Sequence, residues 1–286
     1  MIKYTLPDFT VGLGLNLFLI RLLEQRPAWF QDGVAIDSVY GCFPNCVLNG
    51  GRAYVRERAT KAQMEKAFSL LEEHGVKPRL TFTNMFAREE HLRDEYVGSL
   101  LEAAARHGGE VIVYADAVGD YVRDRFGMKR VLSTTRALGG VEELNRMTQR
   151  YEYVVLDYNH HKDPAFLAAI EEPGKVEVMV NEFCQRGCPH RQEHYLHNSE
   201  DQLAGSMRPF ECIAKRADFF DHAPGHPVIF ADDEVRGLHD ARGVEYFKIV
   251  GRGVPFQTVL EAYAYYLVRP EYRADVKRLV MSSTGR

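Results

Sequence analysis

The stretch PRLTFTNMFAREEHLRDEYVGSLLEAAARHGGEVIVYAD, residues 78–116, decides the fold. It opens on a β-type run, PRLTFTN (78–84). An amphipathic helical stretch, EYVGSLLEAAARHG (95–108), follows, and a second β-type run, EVIVYAD (110–116), closes it. Strand, helix and strand in under forty residues is the signature of a parallel βαβ unit.

The same rhythm extends in both directions. Toward the N-terminus, TVGLGL (10–15) reads as a first strand with LFLIRLLEQ (17–25) as its helix. GVAIDSVYG (33–41) reads as a second, followed by the helix ATKAQMEKAFSLLEEHG (59–75). Met64, Phe68 and Leu71 mark its apolar face and Gly75 its stop. Toward the C-terminus come VGDYVRDRFG (118–127), then KRVLSTT (129–135) with GVEELNRMTQR (140–150). YEYVVLDYN (151–159) precedes DPAFLAAIEE (163–172), with Asp163 placed to cap and Pro164 at the first helical position. KVEVMVNEFC (175–184) is a seventh strand. VEYFKIVGRG (244–253) is an eighth, with PFQTVLEAYAYYLVRP (255–270) after it.

The strand cores are nearly continuous β-branched and aromatic runs, as parallel strands buried on both faces require. Eight such units predict an α/β fold, a closed (β/α)8 TIM-like barrel spanning 1–286 as one domain. No G-x-G-x-x-G loop follows the first strand, which argues against a dinucleotide-binding sheet. Residues 184–243 break the rhythm. They are rich in Cys, His, Pro and charge, and predict a Cys/His-rich insertion after strand seven that folds over the barrel mouth.

The 286 residues are 45% hydrophobic, enough for a sizeable core, and the formal charge of −4 leaves no global basic field for nucleic acid. The apolar stretch VGLGLNLFLI (11–20) contains Asn16 and is half the ~20 residues a bilayer span needs. MIKYTLPDF lacks the parts of a signal peptide. The expectation is a cytoplasmic protein with no membrane association.

The C-terminal ends of barrel strands face one mouth. Here they carry Asn16, Asp37, Asn84, Asp116, Thr134 with Thr135, Asp157 with Asn159, Asn181 with Glu182, and Arg252. Each alone reads as readily as a cap or turn partner; their convergence on one rim is the stronger signal. Asp157 to His161 can hold a general base, a substrate hydrogen bond or the start of a helix. The Gly251–Gly253 turn fits a phosphate or carboxylate site, with Arg252 as bidentate donor, as well as it fits a structural salt bridge.

Cysteine placement says more than cysteine count. Cys42 and Cys46 form one CxxxC pair, Cys184 and Cys188 a second, and Cys212 stands alone. Thiolates suit iron–sulfur clusters or zinc. Cys188-Pro189 matches the Cys-Pro pairing that follows many cluster ligands. Cys212 supplies a third candidate ligand and Cys42 or Cys46 a fourth across the mouth. Reduced, buried thiols are the plain alternative. His190, His194 and His197 crowd the same segment and open a Cys2His2 or Cys3His zinc site.

With eight strand–helix units, cysteines straight after strand seven and the late strand YFKIVGRG, the chain resembles the collagenase-like peptidase family, family U thirty-two. YFKIVGRG is similar to that family's FKIEGR signature. The resemblance implies a barrel holding a [4Fe–4S] cluster on four cysteines, here Cys184, Cys188, Cys212 and Cys42. It implies oxygen-independent hydroxylation of a small molecule or an RNA base, with Asp157, Asn159, Glu182 and Arg252 positioning the substrate. The spacing of Cys184 and Cys188 is shorter than the family's usual pattern. Two alternatives stand beside it. One is a zinc-dependent hydrolase or peptidase using Cys184, Cys188 and His194. The other is a non-catalytic barrel with a structural metal site, serving a partner subunit.

Overall fold

The computed structural model describes residues 1–51, 57–212 and 227–284, the last of these without its side chain. Eight parallel strands close into one barrel in chain order: β1 (Ile2–Pro7), β2 (Val34–Gly41), β3 (Lys77–Phe82), β4 (Glu110–Val113), β5 (Lys129–Leu132), β6 (Tyr153–Val155), β7 (Val176–Met179) and β8 (Tyr246–Lys248). β1 pairs with β8 to shut the ring. The helices α1 (Leu13–Gln25), α2 (Lys61–Glu72), α3 (Glu95–Arg106), α4 (Asp116–Phe126), α5 (Val141–Arg150) and α6 (Pro164–Ala168) follow the first six strands. α7 (Arg191–Ala204) and α8 (Asp232–Arg242) lie between β7 and β8, and α9 (Phe256–Leu267) and α10 (Arg273–Thr284) end the chain. The predicted (β/α)8 barrel is the observed fold.

One strand was misplaced. TVGLGL is not β1: Thr10–Gly12 form a turn and Leu13 onward is α1. The true β1 is IKYTLP, which starts eight residues before TVGLGL. Gly12 belongs to the turn because a Cβ there would meet the Asp8 carbonyl oxygen at 2.7 Å. Asn16 is therefore a helix residue. Its amide donates to the Pro7 and Asp8 carbonyls at 2.9 and 3.0 Å and accepts from the Tyr263 hydroxyl at 2.6 Å, tying α1 and α9 to the end of β1.

Asp37 is not at a strand end either. It sits within β2, where Lys77 Nζ reaches it at 3.0 Å. It belongs to an ionic layer deep in the barrel. Arg79, fully buried, donates to Glu110 Oε2 at 2.9 Å and Glu177 Oε1 at 2.5 Å, and Thr5 donates to the same Glu177 oxygen at 2.6 Å. Burial alone would push the Glu177 carboxyl up, but the Arg79 and Lys248 charges hold it below the usual range. Among the described residues this layer fills the barrel interior below the strand ends.

The long connection after β7 divides in two. α8 is capped by the hydrogen bond from Ala231 N to Glu234 Oε2 at 2.6 Å, and leads into β8 as an ordinary barrel helix. The excursion proper lies before it, and its residues 213–226 lie outside those described. α7 crosses the strand ends. Arg191 bonds to Asp157 and Thr134, Asn84 Nδ2 donates to the Ser199 carbonyl at 3.0 Å, and Gln202 Nε2 donates to the Cys46 carbonyl at 3.1 Å. No helix among the described residues is long and apolar enough to cross a membrane.

Candidate active site

At the mouth, the ends of β2, β3, β5, β7 and β8 enclose a cavity of about 80 Å³. Ile112, Met179 and Val250 line it with apolar surface, and Thr81, Thr83, Ser133, Thr134 and Thr135 with hydroxyls. Two cations, Lys248 and Arg252, line it as well. Lys248 Nζ lies 4.0 Å from the centre of the Tyr40 ring and the Arg252 guanidinium 5.3 Å from it. Arg252 Nη1 donates to Thr81 Oγ1 at 2.9 Å. Gly50 and Gly51 let the β2 loop press in: a Cβ on Gly50 would stand 2.4 Å from Thr83 Oγ1, and one on Gly51 2.6 Å from Asn198 Cβ.

A second cavity of about 70 Å³ adjoins the first. Cys184, Cys188 and Cys212 line it together with His190 and His194. The His194 ring stacks on Phe210 with centroids 4.4 Å apart. The two cavities share Glu182, Tyr195, Val250 and Arg252 as a common wall. Burial pushes the Cys184 thiol above its ordinary value, against the opposing effect of the Tyr158 hydroxyl.

Cys42 lies elsewhere. It lines a third, open cavity of about 620 Å³, also bordered by Arg252, and burial together with the neighbouring Cys46 pushes its thiol up. Three of the four expected cluster ligands thus face one space and the fourth faces another, with Arg252 between them. Among the described residues no three His, Cys, Asp or Glu side chains stand close enough to hold a metal ion. The donor chemistry suits a thiolate-bound centre, but a four-thiolate cage is not assembled.

The four expected substrate-positioning residues divide two and two. Glu182, 8% exposed, accepts from the backbone N–H groups of Phe183 and Cys184 through Oε1 at 2.8 and 3.1 Å, and its Oε2 has no hydrogen-bond partner among the described residues. Glu182 and Arg252 both line the two adjoining cavities. Asp157 is engaged in structure. Its Oδ2 accepts from Arg191 Nη1 at 2.6 Å and its Oδ1 from Asn159 N at 2.9 Å. Asn159 Oδ1 accepts from Gly187 N at 2.8 Å, holding the turn between Cys184 and Cys188, where Gly187 takes φ +68°. Of the other strand-end residues, Asn181 bridges to Val250 N and O at 2.7 and 2.9 Å, and Asp116 accepts from Tyr151 and Arg150 on the outer face.

Lys248, Tyr40 and Thr81 were missed. Lys248 had a readable signal, since a lysine inside the buried run YFKIV needs a polar reason to be there. Tyr40 and Thr81 had none, because aromatic and β-branched residues are what any strand prefers.

No family model and no curated protein matches this sequence. Among solved structures, the U32 peptidase Mk0906 is similar over 89% of this chain and 94% of its own, with TM-score 0.55 and 14% identity. An uncharacterized B. cereus protein aligns over 90% of this chain and 62% of its own at TM-score 0.37 and 10% identity. The resemblance read from the sequence therefore extends to the fold: this chain is a TIM barrel similar to a U32 peptidase structure.

Proposed function

We propose that the protein is an enzyme acting on a small polar molecule in the barrel cavity, with a metal centre on the thiols of the adjoining cavity. One observation carries this reading: Glu182, Tyr195, Val250 and Arg252 form a wall common to both spaces, so a bound molecule and a thiol-held centre would be close neighbours. The centre favoured is a [4Fe–4S] cluster on Cys184, Cys188 and Cys212, with Cys42 reached past Arg252. Soft thiolates favour it, as does the likeness to family U thirty-two. Such a cluster would supply electron transfer, and the class of reaction would be oxygen-independent hydroxylation of a small molecule or RNA base. The protein's own part is then positioning. Arg252 orients the substrate, Glu182 Oε2 handles a proton, and Asp157 and Asn159 hold the loops that carry the thiols.

Purification without oxygen, followed by iron and sulfide analysis, tests this. The expected result is about four irons and four sulfides per chain. These should be lost in Cys184→Ser and Cys188→Ser, each of which should still fold. Colourless, iron-free protein under those conditions would refute the cluster. A zinc site is the second reading, favoured by His194 lining the same cavity as Cys184, Cys188 and Cys212. Stoichiometric zinc in the same analysis would select it.

A further inference from the structure

We infer that the barrel cavity is an anion site, and that the substrate presents a carboxylate or phosphate group to Lys248 and Arg252. The inference deepens the proposed function by naming a substrate class, and rests on that reading only for the word substrate. The binding itself needs no metal.

Three observations converge. First, among the described residues the charged side chains lining this cavity are two cations, Lys248 and Arg252, and one anion, Glu182. Glu182 Oε1 is turned to the backbone N–H groups of its own loop, at 2.8 and 3.1 Å. Second, both cations lie close to the same Tyr40 ring, at 4.0 and 5.3 Å from its centre. Third, the lining is rich in hydroxyls. Thr81 lies near the end of β3 and Thr83 just beyond it, and Ser133, Thr134 and Thr135 follow β5. Hydroxyls add polarity beside an anion without adding charge of their own.

The layer below explains why Lys248 is there. Its Nζ lies 3.8 Å from Glu177 Oε2, while Arg79 and Thr5 bind the other Glu177 oxygen at 2.5 and 2.6 Å. Lys248 therefore bridges the buried ionic layer and the cavity. Lys248 is largely buried, so a charge-assisted bond to it is stronger than on an open surface. The cavity, at about 80 Å³, holds an anionic head group rather than a large ligand, leaving the rest of the molecule to extend toward the wall shared with the thiols.

Inorganic phosphate, malonate and neutral malonamide are to be titrated into the purified full chain at constant ionic strength, by calorimetry and thermal unfolding. At least one anion should bind with 1:1 stoichiometry and raise the melting temperature, and malonamide should do neither. Preference between phosphate and malonate identifies the head group. Lys248→Met and Arg252→Gln should each weaken the preferred anion about tenfold or more, in line with loss of one charge-assisted contact. Absence of binding by both anions in the wild type would overturn the inference, as would equal binding of malonamide or unchanged affinity in a folded Arg252→Gln protein. Lys248→Met sits near Glu177, so the wild-type comparison of anion with neutral isostere stands independently of that variant. Anion binding in iron-free protein would uphold this site while the cluster reading fails; a cluster without anion binding would do the reverse.

Discussion

Breaking the Asp157–Arg191 pair should release α7 from the barrel mouth. Asp157 Oδ2 and Arg191 Nη1 are 2.6 Å apart, and their side chains are 4% and 6% exposed. Arg191 also donates to the Thr134 carbonyl at 2.9 Å and lies 4.1 Å over the Tyr158 ring. Removing one partner of a buried pair costs about 3–5 kcal/mol, because the survivor keeps its desolvation cost without its counter-charge. Asp157→Asn preserves shape and the cap on Asn159, so its cost belongs near about 3 kcal/mol. Arg191→Met also removes the bond to Thr134 and leaves a buried carboxylate, placing it near about 4–5 kcal/mol. The double variant leaves no unpaired charge, so it should cost less than the two singles together by about 2 kcal/mol or more. Urea unfolding measures the cycle, and hydrogen exchange locates it. Faster exchange should concentrate in residues 191–204 and in the Cys184–Cys188 turn, with the β-strands little changed. Additive costs, or unaltered exchange across α7 in Asp157→Asn, would refute the argument that this pair holds the helix over the site.

Two further outcomes are expected. Burial holds the His161 imidazole at about 3, below its ordinary 6.5, so its contribution to stability is complete above pH 6.5 and falls as the pH drops toward 3. The fall should approach about 1.4 kcal/mol per pH unit below 6.5, and His161→Phe should flatten that part of a stability-versus-pH curve measured by urea unfolding. Gly50→Ala would place a methyl 2.4 Å from Thr83 Oγ1 and 2.7 Å from its carbonyl oxygen, and should cost about 1–3 kcal/mol in the same assay while displacing the cavity wall; an unchanged midpoint would show that the loop yields freely.

The barrel was readable in sequence because its physical cause is local. Buried parallel strands must be apolar on both faces, so GVAIDSVYG, EVIVYAD and KVEVMVNEFC stand out, and the helices between them carry one-sided apolar stripes. β1 failed for the converse reason. IKYTLP carries Lys3 and Thr5 among its apolar residues and is outcompeted by the longer apolar run that forms α1. The site was partly readable. Cys184, Cys188 and Cys212 were grouped by chemistry, and the fold does bring them to one cavity. Cys42 was grouped with them by its place after β2, but the packing of the β2 loop turns it toward Cys46 and a separate space. Asp157 and Asn159 show the limit of reading strand ends. A carboxylate at a mouth can equally be the counter-charge of a lid, and only the position of Arg191 on α7, thirty-four residues away, distinguishes the two.

Arg252 borders all three cavities, so what holds it in place decides how they communicate. Its side chain donates a hydrogen bond to Thr81 and lies over the Tyr40 ring. The stronger constraint is in the backbone. Gly251 follows the end of β8 and packs so closely on the end of β1 that a Cβ there would lie 2.6 Å from Pro7 Cγ. Gly253 turns the chain at φ +73° immediately afterwards. The two glycines thus place the Arg252 Cα over the seam where the barrel closes, and Tyr40 and Thr81 then receive the guanidinium on the inner side. A residue fixed by closure of the ring cannot drift outward without opening the β1–β8 seam. From there its side chain borders the cavity at the strand ends, the cavity lined by the thiols and the space beside Cys42. That placement follows from the glycines on either side rather than from the arginine itself.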